Sequence, residues 1–91
     1  MEPKTPIEVA EQVIQIPETP RYWGTSMGSL IEVIVLYELH NVDEMKAVLD
    51  MDEKEFHNNF QALLESGELE RQKNGFFVRQ DLRDEWLRYY H

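Results

Sequence analysis

The sequence contains no cysteine, and this absence excludes a disulfide scaffold, a thiolate zinc site and a cysteine nucleophile. Long apolar runs are also absent. The longest, residues 33–37, has five residues, whereas a membrane-spanning helix needs about 20. No apolar stretch led by Lys or Arg opens the chain, so no secretory signal is expected. These absences predict a cytoplasmic protein without a membrane partner.

Basic residues are scarce, because nine Lys and Arg stand against eighteen Asp and Glu, giving a net charge of −9. A chain of this sign is repelled at long range by phosphate backbones and membrane surfaces. The scarcity is uneven, since residues 68–91 hold five bases and five acids. All the clustered positive charge lies in that segment, on Arg71, Lys73, Arg79, Arg83 and Arg88.

The remaining composition indicates one small globular domain, since 91 residues with 42% apolar and 30% charged side chains suffice for a single core. Its first part, residues 1–28, is predicted to be an N-terminal helix and a Pro-containing linker. Thr5 is the expected N-cap of that helix, with Pro6 at its first position. The helix should end by Ile16, before Pro17. Its apolar stripe comprises Ile7, Ala10, Val13 and Ile14.

Two large rings, Tyr22 and Trp23, follow the linker. We expect them to cover one end of the core, and a partner site is the alternative. Residues 24–28 are interpreted as a flexible step. Ser29 with Glu32 then forms a capping box that opens the next helix. Residues 30–39 are apolar almost all round, which predicts a buried central helix, with a strand as the competing interpretation.

Two further capping boxes mark a helix–turn–helix. Asn41 with Glu44 opens a helix that ends near Asp50, and Asp52 with Glu55 opens the next one. A hydrophobic staple between Met51 and Phe56 fixes the turn, and Gly67 is the expected helix end. The core stripe of this helix is Phe56, Phe60, Leu63 and Leu64.

The pair Asn74-Gly75 predicts a hairpin with a type I′ turn, between strands over 68–73 and 76–79. This register places Lys73 opposite Phe76 and Arg71 opposite Val78. Leu69, Phe76 and Val78 would face the core and Phe77 would point away. An amphipathic helix starting near Gln80 is predicted to end the chain, with Leu82, Trp86, Tyr89 and Tyr90 at helical spacing.

This order of elements resembles the winged helix-turn-helix superfamily over residues 29–78. The strongest likeness is the pattern Leu63-Leu64-x-x-Gly67-x-Leu69, in which the helix runs into the first strand. The resemblance implies a mostly α (α+β) fold, with a three-helix core, a short β-hairpin wing, and N- and C-terminal helices. The expected division is 1–28, 29–79 for the winged-helix core and 80–91 for the C-terminal amphipathic helix, all in one domain.

In winged helices the third helix usually enters the major groove of DNA and the wing contacts the backbone. The resemblance therefore implies a DNA-binding transcriptional regulator that uses the third helix, 52–66, and the wing, 69–79. The candidate base-reading residues are Lys54, His57, Asn58 and Gln61. The candidate backbone contacts are Arg71, Lys73, Asn74 and Arg79. Against this, carboxylates crowd the start of the same helix: Asp50, Asp52, Glu53 and Glu55.

The alternative is a protein–protein interaction module, because winged helices also serve this purpose in multi-subunit assemblies. Its acidic third helix would meet a basic partner, or exposed aromatics would form a contact patch. The terminal helices are also expected to hold a homodimer, unless they pack on their own domain. The candidate partner or dimer contacts are Phe77, Leu82, Trp86, Tyr89 and Tyr90.

An enzyme is not predicted, and neither is a metal or another cofactor. His40, His57 and His91 do not share a metal-ligand spacing. The serines lack a nearby base. The acidic run 50–55 lacks the glycine and the distal Glu of a calcium loop, so it is better interpreted as a helix start. No catalytic residue is therefore assigned.

Overall fold

The computed structural model describes residues 19–90, which form four helices and one antiparallel hairpin. The predicted helix over 5–16, residues 17–18 of the linker and His91 lie outside the described residues. The mostly helical α+β class is confirmed. In chain order the elements are α1 (Ser26–Val35), α2 (Val42–Val48), α3 (Glu53–Ser66), β1 (Leu69–Gln72), β2 (Gly75–Val78) and α4 (Gln80–Tyr89).

Helix α1 confirms the choice of helix over strand, but its predicted start at Ser29 is wrong. Thr25 is the N-cap, and its side chain accepts a hydrogen bond from the Gly28 amide at 3.1 Å. Gly28 is a packing glycine within the helix, because a Cβ there would lie 2.0 Å from the Tyr22 carbonyl oxygen. The predicted flexible step over 24–28 is therefore largely the first turn of α1.

Helix α1 also ends earlier than predicted, at Val35 instead of Leu39. Glu38 has a left-handed φ of 57°, and this conformation turns the chain away from the helix axis. The amide of Leu39 then donates to the carbonyl of Val33 at 3.1 Å. The last residues of the apolar run thus belong to the connection between α1 and α2.

The boundaries of α2 and α3 confirm the capping residues that the sequence indicates. Asn41 accepts hydrogen bonds from two amides of the first turn of α2. Asp52 accepts from the Glu55 amide at 2.8 Å. Gly67 ends α3 with a φ of 83°, a conformation that glycine adopts without steric cost.

The hairpin exists, but its predicted register is wrong. Arg71 pairs with Phe76 and Leu69 with Val78, whereas the sequence placed Arg71 opposite Val78. Gln72 pairs with Gly75, so Lys73 and Asn74 form the loop. Both residues have negative φ, which excludes the expected type I′ turn.

The register follows from a close approach of a third segment to β2. The Phe76 amide donates to the carbonyl oxygen of His40 at 3.0 Å, and the His40 Nδ1 lies 3.0 Å from the Phe76 carbonyl oxygen. A Cβ at Gly75 would lie 2.5 Å from the same His40 oxygen. Gly75 is therefore required inside the strand, with a φ of 134°, and is not a turn residue.

The core lies between the four helices and the inner face of the hairpin, with Met45 from α2 and Phe56 and Leu63 from α3. Leu69 and Val78 face it from the hairpin, and the half-buried Phe76 packs against it, as the sequence predicts. Helix α4 begins at Gln80, also as predicted, and buries Leu82 and Trp86 against this core. No helix within residues 19–90 is long and apolar enough to cross a membrane.

Candidate functional site

A concavity of the described domain lies between α2, α3 and the hairpin. We call it the α3–hairpin groove, and its volume is about 930 Å³. Two helices and a hairpin build it, so its shape depends on tertiary packing. Its lining residues are Val42, Lys46, Glu53, Lys54, Phe56, His57, Phe60, Gln61, Leu64, Arg71 and Phe76.

The floor of the α3–hairpin groove is aromatic. Phe60 stacks on Phe56 with ring centroids 5.5 Å apart, and it meets Phe76 edge-on at 4.7 Å. Pairs in these geometries are worth about 0.5–1.5 kcal/mol beyond their area burial. Phe60 and Phe76 are only half buried, so part of this aromatic surface faces the groove. The contact therefore joins α3 to β2 and leaves a place where apolar atoms of a ligand can be buried.

The rim of the groove is basic in an acidic protein. Lys46, Lys54 and Arg71 line it with one carboxylate, Glu53, so the lining carries about two net positive charges. The Lys46 Nζ pairs with Glu53 at 2.9 Å. Within residues 19–90 neither Lys54 nor Arg71 has a carboxylate within 4.0 Å. The guanidinium of Arg71 lies over the Phe76 ring, 5.5 Å from its centroid.

Four of the eight DNA-binding candidates converge on this groove. Lys54, His57 and Gln61 come from α3, and Arg71 comes from β1. Their spacing along α3 is the sequence signal that finds them, because residues three and four apart share a helix face. Sequence reasoning missed the aromatic floor as part of the site, since nothing local shows that Phe76 lies against Phe60.

The other candidates lie elsewhere. Asn58 faces a different side of α3, beside the carboxylates of Asp52 and Glu55. Lys73 and Asn74 are exposed in the loop of the hairpin, outside the groove lining. The eight candidates therefore do not form one continuous surface of the groove.

Arg79 has a structural role that the sequence did not indicate. Its Nε donates to Asp81 at 2.7 Å, at the start of α4. Hydrogen bonds from Arg79 and Arg21 hold the pKa of the Asp81 carboxyl well below its usual range. Arg79 is therefore paired with Asp81, while its contact with a phosphate stays a prediction.

A buried carboxylate organises the opposite side of the domain. Glu68 is 8% exposed and accepts hydrogen bonds from the Tyr22 hydroxyl at 2.6 Å and the Ser66 hydroxyl at 2.9 Å. Arg21 completes the set at 3.3 Å. The hydrogen bond to Glu68 is the main cause that raises the pKa of Tyr22. The contacts of Glu68 with Arg21 and Tyr22 span more than 40 residues of sequence, and no local pattern predicts them.

Arg21 also joins the segment before α1 to α4. Its Nε donates to Glu85 at 2.9 Å and its Nη2 donates to Asp81 at 3.2 Å. The hydrogen bond with Glu85 is the largest cause that raises the pKa of Arg21. Exposed pairs of this kind contribute little singly, so their role here is to orient the segment.

The aromatic residues at the end of α4 pack mainly on their own domain. Trp23 lies on Trp86, Tyr89 and Tyr90, with centroids 5.6, 4.7 and 5.8 Å away. This confirms the expectation that the rings after the linker cover one end of the core. The Trp86 indole also donates to the Arg21 carbonyl oxygen at 3.1 Å.

Two of the five partner-contact candidates are corrected by their burial. Leu82 is 0% and Trp86 1% exposed, so neither can touch a partner in this conformation. Tyr90 is 44% exposed and Tyr89 is half buried. Phe77 points away from the core, as predicted, and stacks on His40 with centroids 4.0 Å apart. The last three residues remain candidates for a contact.

Residues 19–90 contain no group of three metal-ligating side chains that could hold an ion. Comparison of the whole chain with family models, curated proteins and solved structures gives no match. The functional argument therefore depends on the α3–hairpin groove itself.

Proposed function

We propose that this chain is a protein–protein interaction module whose α3–hairpin groove binds a segment of a partner protein. The observation that carries the proposal is the half-buried aromatic floor, Phe60 against Phe76, inside an open groove of about 930 Å³. A partner that buries apolar side chains there gains about 25 cal/mol for each Å² removed from water. A groove with an apolar floor and a few polar groups at its rim is the usual form of a binding site.

We further propose that the fold is a winged helix-turn-helix. The order of α1, α2, α3 and the hairpin supports this interpretation. The two hydrogen-bond contacts between His40 and Phe76 support it as well, since they add a third segment beside β2. In this interpretation α3 corresponds to the recognition helix and the hairpin to the wing.

Duplex DNA is the second candidate ligand, and with it the role of a transcriptional regulator. One observation favours it: Lys54, His57 and Gln61 share a side of α3 with Arg71 of the hairpin. Polar groups so placed can reach base edges and phosphates. One feature opposes it, because the floor between the polar groups is aromatic. The carboxylates of Asp52 and Glu55 at the start of α3 lie on another side of that helix.

The proposed function is tested by selecting random displayed peptides on immobilised protein. Gln61→Trp places a large ring in the groove from an exposed position, so the fold should be kept. Asn58→Trp is the matched control, because Asn58 is equally exposed on α3 but lies outside the groove lining. We expect peptides enriched on the wild-type protein and on Asn58→Trp to be lost on Gln61→Trp.

Equal enrichment on both variants would show that the groove is not the binding surface. The DNA candidate is tested separately, by fluorescence anisotropy with a labelled mixed-sequence duplex over a range of salt. Binding that falls linearly on a log–log salt plot, and that weakens in Gln61→Trp, would favour DNA over a protein partner.

A homodimer and a cytoplasmic location are kept as proposals. The half-exposed Tyr90, the C-cap of α4, supports the first, since it offers apolar surface at the end of that helix. Sedimentation equilibrium of Tyr90→Ser against wild type tests it. If the wild-type protein is a monomer at all concentrations, the proposed homodimer is refuted.

A further inference from the structure

The charge at the groove rim is opposite in sign to the charge of the protein. The lining holds three bases and one acid, whereas the whole chain carries −9. Two of the bases, Lys54 and Arg71, have no carboxylate partner among the described residues. Exposed basic side chains create a local positive potential, which favours a negatively charged ligand.

Lys54 and Arg71 come from different elements that line the groove. Lys54 lies in the first turn of α3, and Arg71 lies on β1 over the ring of Phe76. A ligand whose apolar side chains rest on Phe60 and Phe76 therefore shares the groove with two cations. His57 lines the same groove and adds a third polar contact.

From this arrangement we infer that the occupant of the α3–hairpin groove is an acidic amphipathic segment of a partner protein, with bulky apolar side chains on the floor and carboxylates at Lys54 and Arg71. This inference rests on the proposed function and specifies the chemistry of its partner. Duplex DNA shares the negative charge, but its bases are stacked inside the helix, so it does not offer apolar groups to the aromatic floor.

The test uses the same displayed library and reads the composition of the enriched peptides. We expect enrichment of Leu, Ile, Phe or Trp together with Asp and Glu. One enriched peptide is then synthesised with its Glu and Asp as found and again with Gln and Asn. The acidic form should bind more tightly at low salt, and the difference should shrink as salt is added.

The protein side of the test is a charge-removing double variant. Lys54→Gln with Arg71→Gln should weaken the acidic peptide about three- to tenfold at low salt, the range expected for two exposed ion pairs. The neutral peptide should bind both proteins about equally. Arg83→Gln with Arg88→Gln is the matched control, because it removes the same charge from exposed positions outside the groove lining. If Arg71→Gln disturbs the packing of Phe76, the single variant Lys54→Gln still tests the inference.

Each result decides between the inference and the proposed function. Enriched peptides without excess acid, still lost on Gln61→Trp, would overturn the inference and leave the interaction module intact. An equal loss of acidic-peptide affinity in the control double variant would reduce the effect to net charge and overturn the inference. Enrichment that survives Gln61→Trp, or no enrichment at all, would overturn both. Displacement of the peptides by duplex DNA, with binding of DNA itself, would identify nucleic acid as the occupant.

Discussion

Gly28→Ala tests the packing of the segment before α1 more directly than any other single change. Helix propensity alone predicts that alanine stabilises a helix interior by about 1 kcal/mol relative to glycine. At this position, however, the new Cβ would lie 2.0 Å from the carbonyl oxygen of Tyr22 and 2.9 Å from its carbon. Both distances are far inside van der Waals contact, so the Tyr22 backbone must move.

That carbonyl is held in place by the helix cap. It accepts the Thr25 amide at 3.1 Å and the Thr25 hydroxyl at 2.6 Å, and Tyr22 itself has a left-handed φ of 67°. Overpacking costs about 1–3 kcal/mol, and a disturbed N-cap costs about 1 kcal/mol more. Subtracting the gain from helix propensity leaves a destabilisation of about 1–3 kcal/mol for Gly28→Ala.

Urea denaturation followed by tryptophan fluorescence measures this change, because Trp23 and Trp86 pack beside the affected segment. The midpoint should fall by about 1 M, given a slope of about 1–3 kcal/mol per M. The melting temperature should fall by at least about 4 °C. A midpoint equal to or above the wild-type value would refute the close contact between Gly28 and Tyr22 and the cap geometry derived from it.

Three further predictions concern the cap of α1, the hairpin and the Asp81 carboxylate. Thr25→Ala should cost about 1 kcal/mol and Ser29→Ala close to nothing, and the reverse order in urea denaturation would restore the helix start that the sequence indicated. Gly75→Ala should lower the melting temperature, because its Cβ would lie 2.5 Å from the His40 carbonyl oxygen; an unchanged value would contradict the observed register. Hydrogen bonds from two arginines lower the pKa of the Asp81 carboxyl, so its contribution to stability is present above about pH 4 and is lost as the pH falls below that. As the pH is lowered from 6 to 2, the melting temperature should therefore fall less for Asp81→Asn than for wild type. Equal falls would show that the Asp81 carboxylate does not stabilise the fold in this way.

The sequence predicted four of the polar residues that line the α3–hairpin groove, but not its aromatic floor. Lys54, His57 and Gln61 were found because a helix repeats every 3.6 residues, so one exposed face can be identified without knowing what it packs against. Arg71 was found only as a base of the hairpin. Its position over Phe76 depends on the hairpin register. That register changes when the two-residue loop moves from 74–75, as predicted, to 73–74, as observed.

Burial was the property that the sequence assigned least well. Trp86 has the helical spacing of an exposed contact stripe, but it is enclosed by the core and by Trp23. Arg79 has the charge expected of a phosphate contact, but its guanidinium is paired with Asp81. Both outcomes depend on residues that approach from other elements, and an amphipathic pattern does not specify its partner.

The sequence by itself determined the helix boundaries that are made locally. Asn41, Asp52 and Gly67 end or begin helices through hydrogen bonds and backbone angles within four residues, so their identity is sufficient. The cap of α1 at Thr25 is also local, since its contacts are with Tyr22 and Gly28. Only the tertiary structure decided the hairpin register and the burial of Glu68. Both depend on contacts between segments distant in the chain, His40 with Phe76 and Tyr22 with Glu68, and a local pattern does not specify such partners.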